Sequence, residues 1–219
     1  MEERKRVVIL AAGDPPTHPV ALRALREADF VVCCDSAYSM LLANHSPLPA
    51  DFVVIGDGDS LPETDKRSLG NRWVQVDEQD YNDLHKAMNW ATAHFQPSTT
   101  HFTILGATGR REDHTLGNIS YLVTFGEEHP GADIEMLTDN GRFCTMIGER
   151  TFEAFPRQQV SLFSFDPRTA ISATGLQWPL DHFRPTLWWQ ATLNAVLADS
   201  FTVSSDGPIL LFRTYDPKA

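Results

Sequence analysis

Phe52-Val53-Val54-Ile55 runs directly into Gly56-Asp57-Gly58-Asp59-Ser60, from consecutive apolar residues to alternating glycine and aspartate. A strand with one face in water alternates apolar with polar positions, whereas a strand covered on both faces is apolar throughout. The run therefore reads as a central strand of a parallel sheet, and the Gly-Asp turn marks its carboxyl end. The same texture recurs on either side, at Val7–Ala12, Phe30–Cys34, Trp73–Val76, His101–Leu105 and Asp133–Leu137. Helical periods separate these runs. Val20–Asp29 and Ser36–Asn44 are two, and Ser60-Leu61-Pro62-Glu63 reads as a capping box opening a third. Asn82–Phe95 places Leu84, Ala87, Met88, Ala91 and Phe95 on one face, and Thr115–Gly126 does the same with Leu116, Ile119, Leu122 and Val123. Strands alternating with helices imply right-handed βαβ crossovers.

Beyond about Asp139 the helical periods fade. Arg142–Ile147, Gln159–Phe165, Thr169–Thr174, Phe201–Ser204 and Ile209–Arg213 look like short strands, punctuated by Pro156, Pro167, Gly175, Pro179, Pro185 and Gly207-Pro208. The expectation is a Rossmann-like parallel-sheet α/β domain over residues 1–140, followed by a smaller all-β sandwich domain over residues 141–219.

Composition excludes several classes. Lys and Arg total 18 against 29 Asp and Glu, a formal net charge of −11, which gives no general attraction to nucleic acid. No apolar run approaches a membrane span. Arg4-Lys5-Arg6 before Val7–Ala12 loosely imitates a signal peptide, but the run breaks at Gly13-Asp14-Pro15-Pro16 and reads better as a first buried strand. Cys33, Cys34 and Cys144 have neither a disulfide nor a zinc spacing, so buried thiols and a cytoplasmic protein are expected.

Parallel strands exit at one edge, where ligands of such sheets bind. Strand two is followed by Asp35 and Ser36, and strand three by Asp57 and Asp59. Strand four leads to Asp80-Tyr81-Asn82-Asp83 and Lys86, and strand five to Gly106-Ala107-Thr108-Gly109-Arg110-Arg111-Glu112-Asp113-His114. Carboxylates gathered on one rim repel one another unless a cation sits among them, and Mg²⁺ binds carboxylates together with substrate phosphates. Gly106 and Gly109 allow backbone amides to approach a phosphate ahead of a helix, while Lys86, Arg110 and Arg111 suit phosphate oxygens. Together these residues point to metal-assisted phosphoryl chemistry.

Each loop taken alone has a plainer reading. Gly56–Asp59 could be only a turn, Asp80 and Asp83 only helix caps, and Arg110-Arg111 only a solvated pair. His114, beside Asp113, could be a general base or a phosphate donor, or only a supporting hydrogen-bond partner behind the site. Trp178, Trp188 and Trp189 are core or interface residues, or a stacking surface. There is no P-loop, dinucleotide fingerprint, His-Glu-x-x-His or Gly-x-Ser-x-Gly.

The chain resembles the thiamine pyrophosphokinase family in Cys34-Asp35-Ser36-Ala37, Gly56–Ser60, Asp80–Asp83 with Lys86, and Gly106–His114 followed by Asn118. Gly175-Leu176-Gln177-Trp178-Pro179-Leu180 is similar to the family's glycine-leucine-lysine-aromatic segment. Leu193-Asn194-Ala195-Val196 stands where the family has Ser-Asn followed two residues on by an aromatic.

The resemblance implies Mg²⁺-dependent transfer of a diphosphoryl group from ATP to thiamine, leaving AMP, by a homodimer with active sites between subunits. On that basis Asp57, Asp59, Asp80 and Asp83 are the expected metal ligands. Lys86 and Arg111 are expected to neutralise phosphate charge, and Asp113 to orient or deprotonate the attacking hydroxyl. Asp35, Ser36, Gly106, Thr108, Gly109, Arg110, His114, Asn118, Trp178 and Asn194 are expected to bind ATP or thiamine. The rivals are another metal-dependent transferase, such as a nucleotide-sugar enzyme, and a non-catalytic binder of thiamine diphosphate or a nucleotide.

Overall fold

The computed structural model describes residues 4–43 and 51–217. They separate into two units, Met1–Tyr121 with His129–Asp139, and Leu122–Glu128 with Asn140–Ala219.

In the first unit, β1 (Lys5–Leu10), β2 (Phe30–Cys34), β3 (Phe52–Gly56), β4 (Trp73–Gln75), β5 (Thr100–Leu105) and β6 (Asp133–Leu137) are all parallel. The sheet runs β4-β3-β2-β1-β5-β6. The apolar runs are central because both their faces are covered. Val7, Ile9, Val31, Val32, Val54, Ile55, Phe102 and Ile104 are wholly buried, and each such side chain contributes roughly 1.5–3 kcal/mol. Cys33 and Cys34 lie in this core, where burial pushes both thiols up and keeps them protonated.

The crossovers are α1 (Pro19–Arg26), α2 (Asp35–Ala43), α3 (Glu63–Leu69), α4 (Asp83–His94) and α5 (Glu112–Glu128). The expected end of α2 at Asn44 lies outside the described residues. No capping box opens α3. Pro62 occupies its N-cap without a side-chain bond, and the Ser60 hydroxyl donates to Asp59 Oδ1 at 2.9 Å instead. Asn82 caps α4, accepting the His85 N–H at 3.0 Å, and Leu84, Ala87, Met88 and Ala91 are buried as the period predicts. The face assigned to α5 needs a correction: Leu116 is 56% exposed, while Asn118 and Leu122 are buried.

The second unit contains β7 (Gly141–Glu153), β8 (Gln158–Phe163), β9 (Ile171–Thr174), β10 (Leu180–Phe183), β11 (Ala191–Ala195) and β12 (Ser200–Pro217), paired antiparallel. The two expected strands at Phe201–Ser204 and Ile209–Arg213 are one strand, β12, bent at a bulge between Ser205 and Ile209. Gly207-Pro208 sits in that bulge, where proline's missing N–H breaks no ladder. The first half of β12 pairs with β9 and the second half with β8, while β7 accompanies it along both halves. Strands that bend from one sheet into another close a sandwich. Phe152, Ile171, Phe201 and Val203 from one half share a core with Val160, Leu162, Ile209 and Leu211 from the other.

Candidate functional site

The chain proceeds from β1 outward to β4, then returns to place β5 on the other side of β1. The order of the sheet thus reverses between β1 and β5, and a crevice opens at the carboxyl ends of strands at such a point. A cavity of about 320 Å³ lies there. Of the residues expected from the sequence, Ser36, Asp83, Gly109, Arg110, Arg111, His114 and Asn118 line it.

The exit of β1, missed in the sequence, lines the cavity through Ala11, Ala12 and Gly13. Those residues carry no ionisable group, and only the reversal of strand order would have singled them out. Asn82, also missed as a site residue, joins the far wall together. Its side chain donates to Asn118 Oδ1 at 3.0 Å, and Asn118 donates to the Ala107 carbonyl at 2.8 Å. Gly106 has φ 63°, and a Cβ there would lie 2.5 Å from the Ala11 carbonyl oxygen, so this turn requires glycine.

Asp35, Asp57 and Asp59 converge at the exits of β2 and β3. One carboxylate oxygen from each lies within 4.8 Å of the others. Asp35 is wholly buried and accepts the N–H groups of Ser36 at 2.6 Å and Gly58 at 3.2 Å. Burial, followed by the negative charges of Asp83 and Asp57, nevertheless holds its carboxyl above the usual range. Asp57 is held below that range by the Asp59 N–H and the Gln79 amide. The set is hard, anionic and oxygen-only, and it fits Mg²⁺.

Asp83, at the first turn of α4, pairs with buried Lys86 at 3.5 Å. Burial raises its carboxyl although Lys86 opposes the rise, and the charges of Asp57 and Asp59 add to it. Asp80 stands apart from the three-carboxylate group: it is exposed, and its backbone N–H bonds to the Glu78 side chain. Arg111 grips Asp113 with two bonds of 3.0 and 2.5 Å, and Arg111 is the leading cause of a fall in the Asp113 carboxyl to about 2. The guanidinium of Arg110 reaches Met40 Sδ at 2.8 Å and lies 3.9 Å from Asp14. Thr108 contributes its carbonyl to the Asp14 N–H at 2.9 Å.

In the second unit, Trp178 is 54% exposed and Asn194 is buried. Asn194 accepts the Trp178 N–H at 3.1 Å and donates to the Trp178 carbonyl at 2.6 Å. It is a clasp on the Trp178 backbone. Val196 is buried and bridges to Leu176.

The family model "Thiamin pyrophosphokinase, catalytic domain" matches residues 21–136, and "Thiamin pyrophosphokinase, substrate-binding domain" matches residues 141–212. Thiamine pyrophosphokinase 1 and thiamine pyrophosphokinase 3 of Oryza sativa subsp. japonica are 27% and 30% identical over 172 and 174 residues. Each of these matches covers 72% of this chain and 64% of the rice protein, so the chain spans somewhat under two thirds of those relatives' length. The crystal structure of thiamine pyrophosphokinase from Bacillus subtilis superposes with a TM-score of 0.77 at 25% identity, covering 96% of this chain and 99% of that one. The two family models match in sequence order, and the first alone takes in more than half of the 219 residues. The chain therefore belongs to the thiamin pyrophosphokinase family.

Proposed function

We propose that the chain transfers the diphosphoryl group of ATP to the hydroxyl of thiamine, with Mg²⁺, giving thiamine diphosphate and AMP. The observation that carries this reading is the cavity at the β1–β5 reversal, with an anionic group at the β2 and β3 exits and Lys86, Arg110 and Arg111 at the exits of β4 and β5. Of the charged residues, Asp83, Arg110 and Arg111 line the cavity itself, while Asp35, Asp57, Asp59 and Lys86 lie on the neighbouring strand exits, and this combination suits a metal–polyphosphate substrate.

Asp35, Asp57 and Asp59 would hold Mg²⁺, which when bound neutralises phosphate charge. The Gly106–Gly109 turn and the start of α5 offer backbone amides to the transferred group. Lys86 and Arg111 balance the charge that develops on it. Asp113, which holds the Arg111 guanidinium through two hydrogen bonds, serves as the partner that orients it. The reading assigns ATP and metal to residues 1–140 and thiamine to residues 141–219, where Trp178 supplies an exposed ring and Asn194 fixes its backbone. It also takes the protein to be a cytoplasmic homodimer. Among the described residues, no helix is long and apolar enough to cross a membrane.

The products test the proposal. Purified protein with Mg²⁺, ATP and thiamine is expected to yield AMP and thiamine diphosphate in equal amounts by chromatography. ADP with thiamine monophosphate, or no thiamine-dependent turnover, would overturn it.

A further inference from the structure

Asp139 follows β6 at the same sheet edge as the cavity, yet it is absent from the cavity wall. Its carboxylate reaches back to the segment between β1 and α1. Oδ1 accepts the N–H groups of Thr17 at 2.8 Å and His18 at 3.0 Å, and Oδ2 accepts the Thr17 hydroxyl. Because β5 lies between β1 and β6, the segment from β1 crosses the β5 exit to reach this carboxylate.

On the way, the segment is zipped to the turn beneath it. Ala11, Gly13 and Asp14 donate their N–H groups to the carbonyls of Leu105, Gly106 and Thr108 at 2.9, 2.6 and 2.9 Å. Pro15 and Pro16 then carry the chain to Thr17 with both φ angles fixed by their rings. A stiff strut is therefore zipped to the Gly106–Arg111 turn at one end and fastened to Asp139 at the other.

We propose that Asp139 is a positioning residue for the nucleotide's phosphates, acting through this strap on the Gly106–Arg111 turn. The inference rests on the nucleotide reading of the cavity. Without the carboxylate, the strap loses its outer anchor. The turn's backbone then samples geometries that do not meet the phosphate chain, while residues that meet the acceptor are untouched.

The test compares Asp139→Ala, Asp139→Asn and Thr17→Val in the full chain. In ligand-free protein, Asp139→Ala is expected to speed amide hydrogen exchange at Gly13, Asp14 and Gly106–Arg111 by about tenfold, leaving β2 and β3 unchanged. Its KM for Mg·ATP should rise about three- to tenfold and its kcat should fall, since the turn's amides meet the transferred group, with the KM for thiamine unchanged. Thr17→Val should show a smaller rise in the same direction. Asp139→Asn, which keeps an acceptor for both N–H groups, should restore most of the wild-type behaviour. Unaltered exchange in the turn, or a rise in both KM values together, would overturn the inference. A wild-type protein that makes no thiamine diphosphate would sink the functional reading alone, since the exchange comparison still decides the strap.

Discussion

Asp35 accepts the backbone N–H of Gly58 at 3.2 Å, joining the exits of two neighbouring strands through a wholly buried carboxylate. Gly56 makes room for it, since a Cβ there would lie 2.5 Å from the same carboxylate. Gly58 itself has φ 83° and backs onto Lys66 and Trp73, so the turn that presents Asp57 and Asp59 is fixed from both sides.

Neutralising the acidic group should separate metal binding from folding. Asp57→Asn and Asp59→Asn are expected to lower Mg²⁺-dependent turnover at least about a hundredfold. Without metal, Asp59→Asn should melt close to the wild type and Asp57→Asn only slightly lower, because the Asp59 N–H and the Gln79 amide favour the Asp57 charge. EDTA should abolish turnover of the wild type without unfolding it. A large fall in the metal-free melting temperature of both variants would mark these aspartates as structural.

Arg111→Ala is expected to slow diphosphoryl transfer about ten- to a hundredfold, from losing one charge-assisted phosphate contact of roughly 1.5–3 kcal/mol. Asp113→Asn should be milder, because it frees Arg111 without removing it. A pH–rate profile whose acidic limb is the same in wild type and Asp113→Asn would agree with an orienting role for Asp113.

His101 should make stability depend on pH. Hydrogen bonds to Asp133 (3.0 Å) and Glu135 (3.4 Å) raise its pKa from 6.5 to about 9, and Arg4 shares Asp133 at 3.0 Å. The contribution is complete below the unfolded value near 6.5 and is lost as pH rises through about 9. His101→Gln is therefore expected to cost on the order of 1–2 kcal/mol at pH 6 and little at pH 10, read from urea melts at both pH values.

The parallel sheet was legible because burial on both faces leaves a plain mark in composition: Phe30–Cys34 and Asp133–Leu137 have the expected bounds. The acidic group was partly legible. Asp57 and Asp59 announce themselves by alternating with glycine, but Asp35 is a lone aspartate whose place beside them depends on β2 and β3 being neighbours. In the second unit the reading failed where edges and bends prevail. Leu180-Asp181-His182-Phe183 is half polar because β10 pairs on one side only, with β9, and Gly207-Pro208 imitates a turn inside a single strand. Leu193 stands in β11 with φ 60° and 66% exposure, a conformation that no strand pattern anticipates.

Asn194→Ala should loosen the Trp178 backbone, removing its clasp on both the N–H and the carbonyl. A loss of about 0.5–1.5 kcal/mol in stability is expected, since two part-buried hydrogen bonds are removed. The KM for thiamine should rise with the KM for ATP unchanged, which steady-state kinetics with each substrate varied will show.

Assembly should follow from the second unit's surface. Trp178, Leu187, Trp188, Trp189, Leu193 and Leu197 are each more than half exposed, an apolar display that favours association with a second copy. Light scattering at micromolar concentration with substrates present is expected to give a dimer mass. Trp188→Glu combined with Trp189→Glu should shift it to a monomer, and a wild-type monomer would refute the idea.

The single bent β12 also sets an order of events during synthesis. The strands of the first unit are all translated by Leu137, so its sheet can close while the rest of the chain is still being made. The second unit has no such freedom. Its two halves are held by one strand that follows β7–β11 in the chain, and β7 must wait for partners about fifty to seventy residues later, as Phe152 does for Phe201 and Phe143 for Phe212. A ribosome stalled before Ser200 would thus present a finished α/β unit carrying an open, aromatic-rich β segment. That nascent intermediate is where chaperone engagement would concentrate.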